Sequence, residues 1–434
     1  MMRLLALIFL LGCFCPAHNA GAEPQPYFYP FVNPYEATVM ELPKAFEAKL
    51  PEEIPAREFT LRVFPKREIP GVFWYENGLV CSIARQNHRA PLIFVIAGTG
   101  ANHDTPRMKK LQKAFYQGGF HVISITSPTH MDFVVNASAG LPGDSLDDAN
   151  DLYRVMKLAY EKVRDKIDVS GFALTGYSLG AFNAAFVAKL DEEEKRFNFS
   201  KVLLINPPVS LYDSVSALDQ LLVDNVPGGM GKFDPWFRSV FAEFASVTKG
   251  MEPGGLSGEF LYNTYKRLPP SEEKLAALIG LTFRMSAANM IFTADVMNGG
   301  GYIIPKNAKL TATTSLTRYA IVSFNTRFID YFNEWFLPSI QAKEPGLTRQ
   351  ALLERMSLRS IEPYLKSAGK IGLVHNEDDI ILAPGDIGYL QEVFGDRARI
   401  FPTGGHMGNM FHPDVVTAMI GFLTGKEDGH GNNP

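Results

Sequence analysis

ALTGYSLGAF, residues Ala173 to Phe182, sets a serine between two glycines, directly after an apolar run and directly before an alanine-rich one. Its centre, Gly176-Tyr177-Ser178-Leu179-Gly180, has the spacing G-x-S-x-G. A serine forced into a sharp strand-to-helix turn takes strained backbone angles, and a glycine two residues to either side leaves room for strand and helix to approach. Ala181, Ala184, Ala185 and Ala188 then let the helix pack close against a sheet. The competing reading is a plain Gly/Ser turn. The context weighs against it, because the strand-like FALTG runs into the pentapeptide and the helical AFNAAFVAKL runs out of it.

Outward from this turn, apolar runs too continuous for a half-exposed strand recur along the chain. They are LIFVIAG (92–98), HVISITS (121–127), GFALTG (171–176), KVLLIN (201–206), IGLVHN (371–376) and RIF (399–401). Such runs fit parallel strands buried on both faces. Between two of them Leu152, Val155, Met156, Ala159 and Val163 recur at helical spacing, and Ser145 with Asp148 three residues later has the form of a capping box. Strand, helix, strand in series gives right-handed crossovers and an α/β fold with a doubly wound, mostly parallel sheet. Upstream, strand-like runs lie in Glu58 to Phe64 and Phe73 to Ala84, with a hairpin signal at Asn77-Gly78. Glu23 to Pro43, rich in proline and aromatics, has the look of an ordered arm wrapping the domain.

From about Tyr212 to Ser360 the alternation stops, and segments such as FDPWFRSVFAEFASV and TRFIDYFNEWFLPSI carry Phe, Met, Leu and Tyr at helical spacing. This is a mainly helical insertion leaving a strand's carboxyl end, where ligands bind in such sheets. The expected layout is a signal peptide at 1–22, a core at 23–211 and 361–434, and a helical cap at 212–360.

The net charge of −4 arises from 42 basic and 46 acidic residues scattered along the chain, with no basic cluster to track phosphates, so nucleic acid is excluded as a partner. The apolar run Leu4 to Phe14 followed by Ala20-Gly21-Ala22 reads as a secretory signal cleaved after Ala22, placing the mature chain in the periplasm or outside the cell. A competing reading lipidates Cys13 and tethers the protein to a membrane. With Cys13 and Cys15 in the signal, Cys81 stands alone and reads as buried and inert.

A serine hydroxyl is a poor nucleophile at neutral pH and needs a base, which needs an orienting acid. After a turn of this kind the acid and then the base follow in chain order. His406, in FPTGGHMGN just beyond RIF, is the first choice of base, since two glycines free its loop to reach Ser178; His412 and His430 are the alternatives. The acid lies in Glu377-Asp378-Asp379-Ile380-Ile381 after IGLVHN. Asp378 is preferred, with an apolar pair behind it packing into the sheet; Asp379 comes second and Asp213 third.

These three motifs, GYSLG, HNEDD followed by IIL, and the GGH loop, resemble in order those of the α/β-hydrolase family, over about Ala84 to Gly425 with the insertion where family members carry a cap. The resemblance implies ester hydrolysis through an acyl-serine, with an oxyanion held by the N–H of Leu179 and by one at Thr99 or Gly100. Many members have His-Gly before the second donor, where this chain has Ala97-Gly98. The glycines of GTGANH do not complete a dinucleotide fingerprint, and no metal motif occurs, so no cofactor or metal is expected. The apolar insertion favours an acyl chain or other bulky apolar substrate. His103 and His130 are candidate contacts at the pocket mouth. Peptidase, amidase or acyltransferase chemistry with the same triad, and a non-catalytic binding protein on the same fold, are the rival readings.

Overall fold

The apolar runs become strands because both of their faces are covered. The computed structural model describes residues 27–40, 42–248 and 270–426; the expected signal with Cys13 and Cys15, and His430 in the tail, lie outside them. Eight strands form one sheet: β1 (Ala56–Leu61), β2 (Leu79–Ala84), β3 (Ala90–Ile96), β4 (His121–Ile125), β5 (Val169–Tyr177), β6 (Lys201–Ile205), β7 (Ile371–Asn376) and β8 (Ala398–Phe401). Their order is β1-β2-β4-β3-β5-β6-β7-β8. β2 runs antiparallel to β1 and β4, and every other pairing is parallel. This is the α/β-hydrolase arrangement.

Alternation along β3 divides the core. Ile93 and Val95 face α1 (Pro106–Gln117) and the last helix, Pro413–Thr424. Leu92, Phe94 and Ile96 face α2 (Ser145–Val163) and α3 (Leu179–Glu194). Full burial of a side chain such as Phe94 stabilises the fold by about 1.5–3 kcal/mol.

Two local expectations change. The cap of α2 is Asp144, whose carboxylate accepts the N–H of Leu146 and Asp147, while Ser145 donates its hydroxyl to the Arg355 carbonyl. Asp148 is therefore not part of a capping box; it is buried and accepts the N–H of Gly143. Asn77-Gly78 does not close a tight hairpin either. β1 and β2 do pair, but through a long connection containing a short 3-10 turn at Gly71–Phe73, and Gly78 only directs the chain into β2.

Between β6 and β7 the described residues build helices and no sheet strand. The chain leaves and returns through a single antiparallel bridge, Ser210 to Ser357. Within this cap α4 (Leu211–Asn225) packs on α5 (Glu272–Asn298). By length and composition alone α5 could cross a membrane; two thirds of its most apolar window is buried within the protein, as in a core helix. A buried pair fixes the cap's interior: Arg284 Nε donates to Asp219 Oδ1 at 2.6 Å, and Asp219 Oδ2 accepts the Phe328 N–H at 3.1 Å. Removing one partner of such a pair strands a buried charge.

Candidate active site

At the end of β5 the chain turns into α3 through Ser178, which holds φ 53° and ψ −124°. A non-glycine residue in this region carries roughly 1–3 kcal/mol of strain, which the surrounding contacts must hold. Gly180 explains how it is held: a Cβ there would lie 2.2 Å from the Ile96 carbonyl oxygen, so α3 starts against the backbone of β3. The Ser178 N–H donates to the Ile205 carbonyl, tying the turn to β6 as well.

The turn carries the hydroxyl to the loop after β8. His406 Nε2 lies 2.9 Å from Ser178 Oγ, and His406 Nδ1 lies 2.9 and 3.0 Å from the two oxygens of Asp379. The sequence order therefore holds, but the carboxylate that meets His406 is Asp379 and not Asp378. The turn after β7 sends the two carboxylates in different directions. Asp378 caps the base loop from outside, accepting the N–H of Gly404 and Gly405, and burial raises its pKa. Asp379 turns inward, where it also accepts the side-chain amide of Asn206 at 3.0 Å and the N–H of Ile381 at 3.1 Å. Burial alone would raise its pKa. The hydrogen-bonded His406 beside it, with the Ile381 N–H, outweighs burial and brings it below the ordinary carboxylate value.

Two supports of this acid have only faint sequence signals. Asn206 ends the run KVLLIN beside the acid-bearing strand, with φ 48°. His375, fully buried under Asp379, accepts the Asn376 N–H at Nδ1, so Nε2 carries the proton and donates to the Pro207 carbonyl. Burial lowers its pKa, keeping it neutral.

The other candidates fall elsewhere. Asp213 lies in the first turn of α4, capped by Ser210. His412 caps the last helix and contacts the Phe28 carbonyl. His103 is buried beside Glu58, and His130 caps the helix Met131–Asn136 at an opening shared with Gly100, Ser286 and Asn289. Cys81 is buried and burial raises its thiol pKa, as an inert cysteine requires. Gly100 is not a free donor, because its N–H is taken by Thr129 Oγ1 at 2.9 Å. The N–H groups of Leu179 and Thr99 donate to no acceptor among the described residues. Among those residues no cluster of His, Cys, Asp and Glu could hold a metal.

Beside this row the cap covers a small apolar chamber with a cavity volume of about 50 Å³. It begins at Thr99 and Leu179 and is walled by Phe283, Met290, Phe328, Phe332 and Phe336.

The expected N-terminal arm holds the base loop. Thr38 Oγ1 accepts the N–H of His406 at 2.9 Å and donates to the Pro34 carbonyl at 2.6 Å. Gly408 is required by this docking, since a Cβ there would lie 1.8 Å from the Ala37 carbonyl oxygen. Tyr27 donates to the Thr403 carbonyl and accepts from Asn409, closing the clamp at the other end of the loop.

No family model matches the chain, and no curated protein matches it. Among solved structures it is similar to an esterase of Pyrococcus furiosus at 10% identity and TM-score 0.38, over 86% of this chain and 91% of that one. A carboxyl esterase of Bacillus coagulans gives 13% and 0.41, over 86% and 99%. The thioesterase domain of the curacin biosynthetic pathway gives 14% and 0.36, over 85% and 99%. Likeness at this level decides nothing about the chemistry. What the chain's own sheet order, elbow and ordered Ser178, His406 and Asp379 establish is an α/β-hydrolase fold with a helical insertion over its site.

Proposed function

We propose that the protein is a serine hydrolase that cleaves carboxylic esters through an acyl-serine intermediate. The observation that carries this reading is the unbroken row Ser178 Oγ, His406, Asp379 on a strained elbow. His406 takes the serine proton as Oγ attacks the ester carbonyl, then gives it to the departing alcohol. Asp379 keeps the Nδ1 proton on its own side of the ring, leaving Nε2 free to accept. The N–H groups of Leu179 and Thr99, which donate to no acceptor among the described residues, receive the oxyanion. Water then repeats the sequence on the acyl-enzyme.

The chamber supports an apolar acyl group, since a polar one would lose its hydrogen bonds among the phenylalanines. A panel of p-nitrophenyl esters of rising chain length, set beside aminoacyl amides, tests this. Each methylene that enters the chamber is expected to raise kcat/KM about fourfold, until the chamber is full. A flat series would remove the acyl reading, and cleavage of the amides alone would make the protein a peptidase.

The arm gives a second expectation. Thr38→Val keeps shape and leaves the His406 N–H without its acceptor, so kcat is expected to fall about tenfold with KM little changed. Thr38→Ser should restore it. Equal loss in both variants would mean that packing, not the hydrogen bond, positions the base.

A further inference from the structure

The apolar chamber has a polar neighbour. Where α5 meets the loop after β3, a Cβ on Gly100 would lie 2.7 Å from Ser286 Oγ, so cap and loop touch there. Beside that contact is a hollow of about 200 Å³, larger than the chamber, bordered by Gly100, His130 and Asn289. Thr129 and Ser286 line both spaces, and Thr99 lines the chamber while its neighbour Gly100 lines the hollow. The two spaces therefore adjoin at the loop that carries one of the proposed oxyanion donors.

The polar atoms of the hollow are open and uncommitted. The Asp132 N–H donates to His130 Nδ1 at 3.2 Å, and burial lowers the pKa of this ring. A neutral imidazole that accepts at Nδ1 carries its proton on Nε2. No acceptor among the described residues meets that N–H, which is open to solvent in a half-buried residue. Asn289 is exposed on α5; its carbonyl oxygen accepts the Thr293 hydroxyl, and its amide N–H groups donate to nothing among the described residues. Ser286 donates its hydroxyl to the Thr282 carbonyl and keeps lone pairs with which to accept. Two donors and an acceptor thus border one hollow, and its lining holds no Asp, Glu, Lys or Arg. Such a set matches hydroxyl groups, which both donate and accept, and offers no partner to a charge.

Building on the ester-hydrolase reading above, we propose that this hollow receives the alcohol half of the ester and selects a neutral polyol, glycerol or a sugar, whose hydroxyls bond to His130 Nε2, the Asn289 amide and Ser286 Oγ. With the carbonyl held at Thr99 and Leu179, the acyl group enters the chamber and the alcohol lies against Gly100. A phosphorylated alcohol would bring a charge that meets no cation. An alkyl alcohol would displace water from three polar groups without replacing its hydrogen bonds.

Butyrate esters of matched alcohols test this, with titration of the acid released. Monobutyryl glycerol is set against propyl butyrate, and glucose butyrylated at its primary hydroxyl against cyclohexylmethyl butyrate; the members of each pair are similar in size and differ in hydroxyl groups. At least one polyol ester is expected to exceed its counterpart in kcat/KM by about tenfold, and the pair with the larger ratio tells glycerol from sugar. Asn289→Leu, at an exposed helix position, is expected to cut that ratio at least about fivefold, with circular dichroism to confirm folding. The inference is overturned if neither polyol ester exceeds its counterpart, if Asn289→Leu leaves the ratio unchanged, or if a butyryl glycerol phosphate is cleaved faster than the neutral glyceryl ester. Cleavage of the plain esters with no polyol preference removes this inference alone. No cleavage of any ester, together with no labelling of Ser178 by an alkyl fluorophosphonate, removes the ester-hydrolase reading beneath it.

Discussion

Asp379→Asn is expected to lower ester turnover by about 10⁴-fold while Asp378→Asn costs less than about tenfold. The two residues are adjacent, equally short and equally acidic, so only their partners separate them. Asparagine at 379 would offer its amide N–H to His406 Nδ1, where Asp379 now lies at 2.9 Å. The imidazole would then carry its proton on Nε2, facing Ser178 Oγ, and could not act as base. The imidazolium formed during attack would also lose its counter-charge. At 378 the same change leaves a carbonyl oxygen able to accept one of the Gly404 and Gly405 N–H groups, so the base loop stays closed. Steady-state kinetics on one chromogenic ester, with circular dichroism to confirm folding, separates the cases. A large loss in Asp378→Asn with little change in Asp379→Asn would return the role to Asp378.

The reason this choice was not legible in the sequence is geometric. HNEDDII fixes that an acid follows β7, because the strand reads clearly and the loop holds three carboxylates. Which one turns inward depends on a turn whose direction is set by groups distant in sequence: Gly404 and Gly405 draw out Asp378, and Asn206 and His406 draw in Asp379. The same limit hid Thr38. Its contact with His406 spans most of the chain, and an arm without periodicity gives no sign of where it docks.

What was legible rests on local physics. The buried parallel strands announce themselves as continuous apolar runs, and each of the six quoted runs falls on a strand of the sheet. The elbow was legible because strand, Gly-x-Ser-x-Gly and alanine-rich helix satisfy one steric demand together, seen in the 2.2 Å approach at Gly180. The base was legible because the glycines around His406 mark a loop that must turn sharply, and Gly404 and Gly405 both have positive φ. The loop proposed to hold the oxyanion was half legible. Thr99 and Gly100 were equivalent as residues, and only the tertiary contact with Thr129 removes Gly100 from the free donors.

The cap shows the complementary case. Its helical character followed from spacing, but the buried Arg284 and Asp219 that tie its helices together look in the sequence like two ordinary surface charges. Burial reverses their meaning: a solvated pair contributes little, whereas this one cannot lose a partner without cost.

Covalent trapping tests, without knowledge of the substrate, whether the Ser178 hydroxyl is an activated nucleophile. Incubation with an alkyl fluorophosphonate, followed by intact-mass and peptide mass spectrometry, is expected to give one adduct, on Ser178. Ser178→Ala should give none, and His406→Ala should slow the reaction by at least about a hundredfold with the fold intact. An unlabelled wild-type protein, or a Ser178→Ala variant labelled as readily as wild type, would contradict the account.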